Sequence, residues 1–218
     1  MKNKLLPTIL IILGLILINV LVFFISPGEI INNLSIFNKF NNNTSLLIKT
    51  QNGKLSIEID GEEQGETPLE ITTLNSGQHS IKLTRISSQQ DVFYEPVTYL
   101  IDLTNNTEAI MDIEIGPAGS NIGYILQYSP SPFGDKKSYL TIESNTQADT
   151  ILDELSFGQT PTKVKEISEG EHTLTVSSDG YEELEVPLVG AKGFNLNVQT
   201  YLYPIPINLE LNEVSEEN

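Results

Sequence analysis

His79 and His172 are the only imidazoles in a chain of 218 residues, and imidazole is the side chain best suited to binding metal or moving protons near neutral pH. Each lies in its own copy of a repeated segment, so a shared metal site would need both to converge with carboxylates from elsewhere. A lone histidine with no nearby ligand pattern reads instead as a residue packing a turn at the start of a strand. Carboxylates are abundant, with adjacent pairs at Glu62-Glu63, Asp153-Glu154 and Glu182-Glu183. Neighbours on a strand point to opposite faces, so none of these is the facing pair that glycoside hydrolysis requires. Asp60, Glu62 and Glu63 offer hard oxygen ligands, yet the spacing of a calcium loop is missing. No Gly-x-Ser-x-Gly or Ser-x-x-Lys elbow occurs. The absence of cysteine excludes a disulfide framework, a thiolate zinc site and a lipidated thiol. The sequence assigns no catalytic, metal or cofactor residue.

What repeats is a scaffold. Gly65, Thr67, Pro68, Gly77 and His79 return as Gly158, Thr160, Pro161, Gly170 and His172, each displaced by 93. Ile71, Leu74, Ile81 and Leu83 return as Val164, Ile167, Leu174 and Val176 at the same displacement. A period this long denotes tandem domains, since solenoid units run to about 20–50 residues. Asp60-Gly61 signals a hairpin, the glycine supplying positive φ. Asp153 is kept in the second copy but Glu154 replaces the glycine, which predicts a turn of another type there. Gly65 and Gly158 start the next strand, and Thr-Pro begins an extended segment because proline fixes φ and biases its predecessor to the β region. The second glycine of each copy sits in a turn, and the histidine opens the strand after it.

The elements that hold these turns announce themselves by a period of two. Leu55–Ile59, Ile81–Leu83, Val97–Leu103 and Met111–Ile115 alternate in the first copy. Leu140–Ile142, Thr150–Leu152, Leu174–Val176, Leu184–Leu188 and Phe194–Leu202 do so in the second. Alternation predicts strands with one buried face. The expected fold class is all-β, with two tandem antiparallel sandwiches of about five strands each, over residues 46–116 and 138–207. Residues 117–137 read as a connector, bracketed by Gly116-Pro117-Ala118-Gly119 and Ser129-Pro130-Ser131-Pro132. Tyr124, Tyr128, Phe133 and Tyr139 are expected to pack it against one domain. A copy of about 70 residues is near the lower limit for an unaided core, so packing the two together is a natural remedy.

Leu5 to Ile25 contains no charge in 21 positions, roughly 31 Å of helix against a hydrocarbon core of about 30 Å. It is too long for a signal-peptide core, and Phe23-Phe24-Ile25-Ser26 is a poor cleavage site, so an uncleaved single-pass anchor is expected. Lys2 and Lys4 keep residues 1–4 in the cytoplasm and place everything after the anchor outside. Residues 26–45 read as an Asn-rich stalk and residues 208–218 as an acidic, frayed tail. Beyond the anchor, 29 acids against 10 bases leave a balance of −19. That surface repels nucleic acid and anionic headgroups.

The order Asp-Gly-x3-Gly-x-Thr-Pro, then Gly-x-His, then Gly180-Tyr181, resembles the PEGA domain family. The second copy carries the fuller set: Ala148, Thr150, Leu152, Asp153, Gly158, Thr160, Pro161, Gly170, His172, Gly180 and Tyr181. The family's eponymous Pro-Glu-Gly-Ala turn is replaced by Asn145-Thr146-Gln147-Ala148, and the first copy has Gly53-Lys54-Leu55 in its place. The first copy also lacks Gly-Tyr, with Tyr94 arriving 6 residues late behind the loop Ser87–Phe93. The resemblance covers residues 46–115 and 138–203. It implies extracytoplasmic β modules of the bacterial or archaeal envelope or surface layer, engaged in protein contacts and carrying no catalytic residues. The expectation is a non-enzymatic anchored protein, without cofactor, whose partner is an envelope or surface-layer protein met at a strand edge. The alternative partner is peptidoglycan or another cell-wall glycan, held on an aromatic face containing Tyr201 and Tyr203.

Overall fold

The computed structural model describes residues 44–87 and 94–205. The residues read above as a cytoplasmic N-terminus, an anchor and a stalk up to residue 43, together with residues 88–93 and 206–218, lie outside the described residues, and Thr44 and Ser45, read as the end of the stalk, belong to the first strand. Among the described residues, no helix is long and apolar enough to cross a membrane.

The first copy contributes β1 (Thr44–Lys49), β2 (Lys54–Ile59), β3 (Glu62–Glu66), β4 (Leu69–Leu74), β5 (Gly77–Ile86), β6 (Val97–Leu103) and β7 (Glu108–Ile115). One turn of 3-10 helix at Pro117–Gly119 leads into β8 (Asn121–Pro130). The second copy repeats the series as β9 (Ser138–Ser144), β10 (Asp149–Leu152), β11 (Leu155–Gln159), β12 (Lys165–Ile167), β13 (Gly170–Ser177), β14 (Leu184–Gly190) and β15 (Phe194–Tyr201). Each copy therefore has seven strands where alternation marks about five. β1 is also unmarked, although its burial alternates, and the unmarked β3 and β4 and their counterparts β11 and β12 are short or half-exposed and show no clean period.

In each copy a four-stranded antiparallel sheet covers part of a larger one. The orders are β3-β2-β5-β6 for the first copy and β11-β10-β13-β14 for the second. The larger sheet has seven strands in the order β12-β9-β15-β8-β7-β1-β4 and runs unbroken through both copies. It is mixed rather than wholly antiparallel, because β1 pairs β7 and β9 pairs β15 in parallel.

The segment read as a connector is thus the central strand of the molecule. One edge of β8 pairs antiparallel with β7 from Ile110↔Leu126 to Ile115↔Asn121. Its other edge pairs antiparallel with β15 from Phe194↔Pro130 to Tyr201↔Gly123. The backbone donors and acceptors of this strand, which must find partners when buried, find them in both copies at once. Both faces are used as well. Tyr124, Leu126 and Tyr128 enter the core of the second copy, and Ile125 enters that of the first. At about 1.5–3 kcal/mol for each large apolar side chain buried, β8 stabilises both copies directly.

Because alternate side chains of a strand leave on opposite faces, the two four-stranded sheets cover opposite faces of the shared one. The register reflects this. Met111 sits beside Ile48 and opposite Ile125, whereas its counterpart Val198 sits beside Ile142 and opposite Leu126. A step of one residue moves a side chain to the other face, so the copies are related by a half-turn about β8 and a one-residue slide along it.

Polar and aromatic contacts reinforce the seam. Asn121 donates to the Tyr99 hydroxyl at 2.5 Å, and Tyr99 meets Tyr201 edge-on at 5.4 Å between centroids. Lys49 and the buried Asp112 form an ion pair at 3.1 Å beside Tyr124. Burial would lower the Lys49 ammonium, yet the Asp112 hydrogen bond and the neighbouring Tyr124 hold it above its ordinary value. Gly123 is the residue that lets the strands meet: its φ is +137°, and a Cβ there would lie 1.9 Å from the Asp112 carbonyl oxygen. Gly123→Val is expected to break the seam, lowering stability by about 3 kcal/mol. Calorimetry should then resolve two unfolding transitions where the native chain shows one. An unchanged single transition would contradict the shared sheet.

Candidate functional site

The hairpin turns and the two histidines form one device, built twice. Asp60 and Gly61 take φ of +52° and +87°, and Asp153 and Glu154 take +48° and +67°. Both central residues are left-handed in both copies, as a type I′ hairpin turn requires. The expectation of a different turn at Glu154 is therefore corrected: the non-glycine residue adopts the same conformation. The aspartate explains why the turn holds. Asp60 Oδ1 accepts from Ser80 N–H at 2.8 Å, and Asp60 Oδ2 meets His79 Nδ1 at 2.7 Å. Asp153 does the same with Thr173 N–H at 3.0 Å and His172 Nδ1 at 2.5 Å. The opposite ring nitrogen of each histidine faces a backbone oxygen, Asn75 at 2.8 Å and Ser168 at 3.0 Å. Facing a carboxylate and a carbonyl, each ring satisfies both as the imidazolium, and the Ser168 hydroxyl lies 3.2 Å from His172 Nε2 as well. Burial alone would lower both histidines, but the aspartate and carbonyl hydrogen bonds outweigh it and raise them above 6.5. The aspartates move the other way, below 3.8: Asp60 chiefly through the Ser80 N–H and Asp153 chiefly through its histidine.

The Thr-Pro positions are equally matched. Thr67 Oγ1 accepts from Leu55 N–H and Thr160 Oγ1 from Ala148 N–H, each at 2.9 Å. Each threonine N–H returns a bond to the same residue's carbonyl, again at 2.9 Å. Both Thr-Pro peptide bonds are cis. Gly65 and Gly158 have φ of +127° and +118°, and Gly77 and Gly170 have +121° and +111°. The ten residues singled out by the repeat therefore clamp hairpins and strand ends, and each keeps the same role in both copies. The aspartates were the partners that sequence reasoning missed. Their signal was present, since Asp60 precedes His79 and Asp153 precedes His172 by the same 19 residues.

The other candidates are not drawn together. Both oxygens of Asp60 serve its own turn, which leaves Glu62 and Glu63 without the third ligand weighed for calcium. Among the described residues no group of three or more acidic, histidine or cysteine side chains is placed to hold a metal. Of the two tyrosines expected to form an aromatic face, Tyr203 is half-buried beside Gly116. Tyr201 packs into the core of the first copy, and Tyr124 and Tyr128 are buried in the second. Tyr128 donates to the Val189 carbonyl at 2.9 Å, and burial pushes its phenol up to about 12. Phe133 alone of the connector aromatics is well exposed, tilted against Tyr139 at 4.9 Å.

The available contact surfaces are strand edges. At the ends of the seven-stranded sheet, β4 pairs only with β1 and β12 only with β9 among the described residues. The smaller sheets end at β3 and β6 and at β11 and β14. A duplicated mixed-sheet sandwich with locked hairpins and open edges defines a tandem β module. The sequence profile described as PEGA domain matches it twice, at residues 43–117 and 137–202. The chain belongs to the PEGA domain family. No curated protein matches it.

Two outcomes follow from the clamps. Raised histidine pKa values mean a contribution to stability that is full below 6.5 and fades as pH climbs through the folded value. Lowered aspartate values mean a contribution present above 3.8 and lost in acid. The stability difference between the native chain and the His79→Gln, His172→Gln variant should peak between those limits and shrink toward pH 8, with metal content unchanged. A difference that grows with pH would contradict the imidazolium assignment. Thr160→Val, which strands the Ala148 N–H, should cost about 1–3 kcal/mol, while Thr160→Ser should keep most of the stability. Equal denaturation midpoints for the two variants would remove that role.

Proposed function

We propose that this chain is a non-enzymatic, single-pass membrane protein whose paired PEGA domains stand outside the cell as a spacer and a surface for protein contacts. Export rests on the uncharged run Leu5–Ile25 with Lys2 and Lys4 before it, and on membership of a family of small surface-type β modules. The observation that carries the spacer role is β8. A strand hydrogen-bonded into both copies makes them one stiff unit rather than two beads on a linker. Such a unit holds its far end at a fixed distance and presents its open strand edges in fixed directions. The glycan alternative is less favoured, since Tyr201, one of its two motivating residues, packs on Tyr99 inside the seam.

Protease treatment of intact cells tests the placement. The domains should be released from the outside, leaving a fragment in the membrane that begins at the initiating residues. Complete protection in intact cells, or a mature N-terminus between residues 24 and 32, would contradict an uncleaved, outward-facing anchor.

A further inference from the structure

We propose that the partner at the strand edges is a second copy of this chain, and that copies join head to tail through the two ends of the seven-stranded sheet. This rests on the protein-contact reading and names its partner. The half-turn about β8 makes the ends structural equivalents: β4 with the neighbouring hairpin strand β3 at one, β12 with β11 at the other. Both β4 and β12 run in the direction of β8, and each has one edge unpaired among the described residues.

Duplication supplies an internal control. Positions that the fold demands stay alike, so exposed positions that differ report something else. At the first end Glu62, Glu63, Glu66 and Glu70 are exposed, Glu66 paired with Lys54 at 2.8 Å, and no base lies between residues 62 and 74. At the equivalent positions of the second end stand Leu155, Ser156, Gln159 and Lys163, and Thr72 becomes Lys165. Two acids are gained, Glu154 in the adjoining turn and Glu166, which is already paired with Lys137 at 2.5 Å. In a protein this acidic, the second end has no unpaired acid between residues 155 and 167 and carries two exposed lysines, Lys163 and Lys165, the latter lying over the Phe157 ring and donating to the Phe157 carbonyl. Leu155 is also 73 % exposed, the largest exposure among the big apolar side chains of the described residues.

Charge selects the mode of contact. Two copies meeting at like ends would bring glutamates against glutamates or lysines against lysines. Meeting at unlike ends sets Lys163 and Lys165 of one copy beside the glutamates of the next, while the open backbone edges of β12 and β4 come alongside. That contact is heterologous, so each added copy leaves one acidic and one basic end free, and the assembly grows as an open row.

Zero-length carbodiimide coupling of the full chain in membranes tests this, because it joins carboxylates to lysines already in contact. A ladder of dimers and higher species is expected, with Lys163 or Lys165 linked to Glu62, Glu63 or Glu70 of another copy. The acidic-end reversal E62K/E63K/E70K and the basic-end reversal K163E/K165E should each reduce the ladder at least tenfold when expressed alone. Co-expressed, they offer unlike ends again and should restore cross-linking, which a misfolded variant would not do. Absence of a ladder, a ladder indifferent to reversal, or failure of the mixture to recover would overturn the proposal. An exported chain that does not cross-link removes this inference alone. A chain whose domains face the cytoplasm removes the spacer reading, and the cross-links still decide this one.

Discussion

The hydrogen bonds along the two edges of β8 are the constraint on which the rest of the molecule depends. Neither copy is large enough to bury much more than a minimal core, and the last strand of each, β7 or β15, would otherwise end its sheet in unpaired backbone. One ten-residue strand completes both sheets and sends side chains into both cores. Two marginal sandwiches thereby become one body with a larger combined interior. The opposite-face arrangement follows from the same strand, because successive residues of β8 must serve different sides. The close approach at Gly123 and the one-residue slide between the copies are the local adjustments that permit it.

Within each copy the stabilising detail lies at the turns. An aspartate with positive φ fixes the hairpin by holding a backbone N–H with one oxygen and a histidine with the other, and the histidine reaches on to a carbonyl across the next turn. The histidine side chains are nearly buried while their aspartates remain about half exposed, so solvent screening limits what the ion pair adds. The geometry matters more than the charge: four polar groups of two loops are satisfied together. That a second copy repeats every distance to within a few tenths of an ångström, despite Glu154 replacing glycine, shows that the clamp rather than the turn residue sets the conformation.

How much of this was legible in the chain depends on how many faces of a strand are covered. Strands covered on one side, such as Leu55–Ile59 and Val97–Leu103, alternate plainly and were readable. β8 was not: Gly123, Tyr124, Ile125 and Leu126 are all buried, and a strand covered on both faces reads as an unbroken apolar run. Flanking Pro and Gly then gave it the composition of a connector. β3 and β4 failed for the opposite reason: four of the five residues of β3 are exposed, and in β4 the alternation breaks where Thr72 and Thr73 are both exposed. The histidines were legible as turn positions at a strand start, but an aspartate 19 residues away is invisible to local pattern, and only the equal spacing in the two copies hinted at the pair. The aromatic residues misled because Tyr201 sits where the end of a strand in one copy meets the core of the other.

The claim that two domains form a single rigid body has a direct physical test, made simple by the absence of cysteine. Thr98 in β6 and Glu185 in β14 are exposed and lie on the two outer sheets. Spin labels on cysteines introduced at these two positions report the separation of the copies by pulsed dipolar spectroscopy. A single narrow distance distribution, broadened by Gly123→Val, is the predicted result. A broad or multimodal distribution in the otherwise native chain would mean that the copies move independently and that β8 does not unite them.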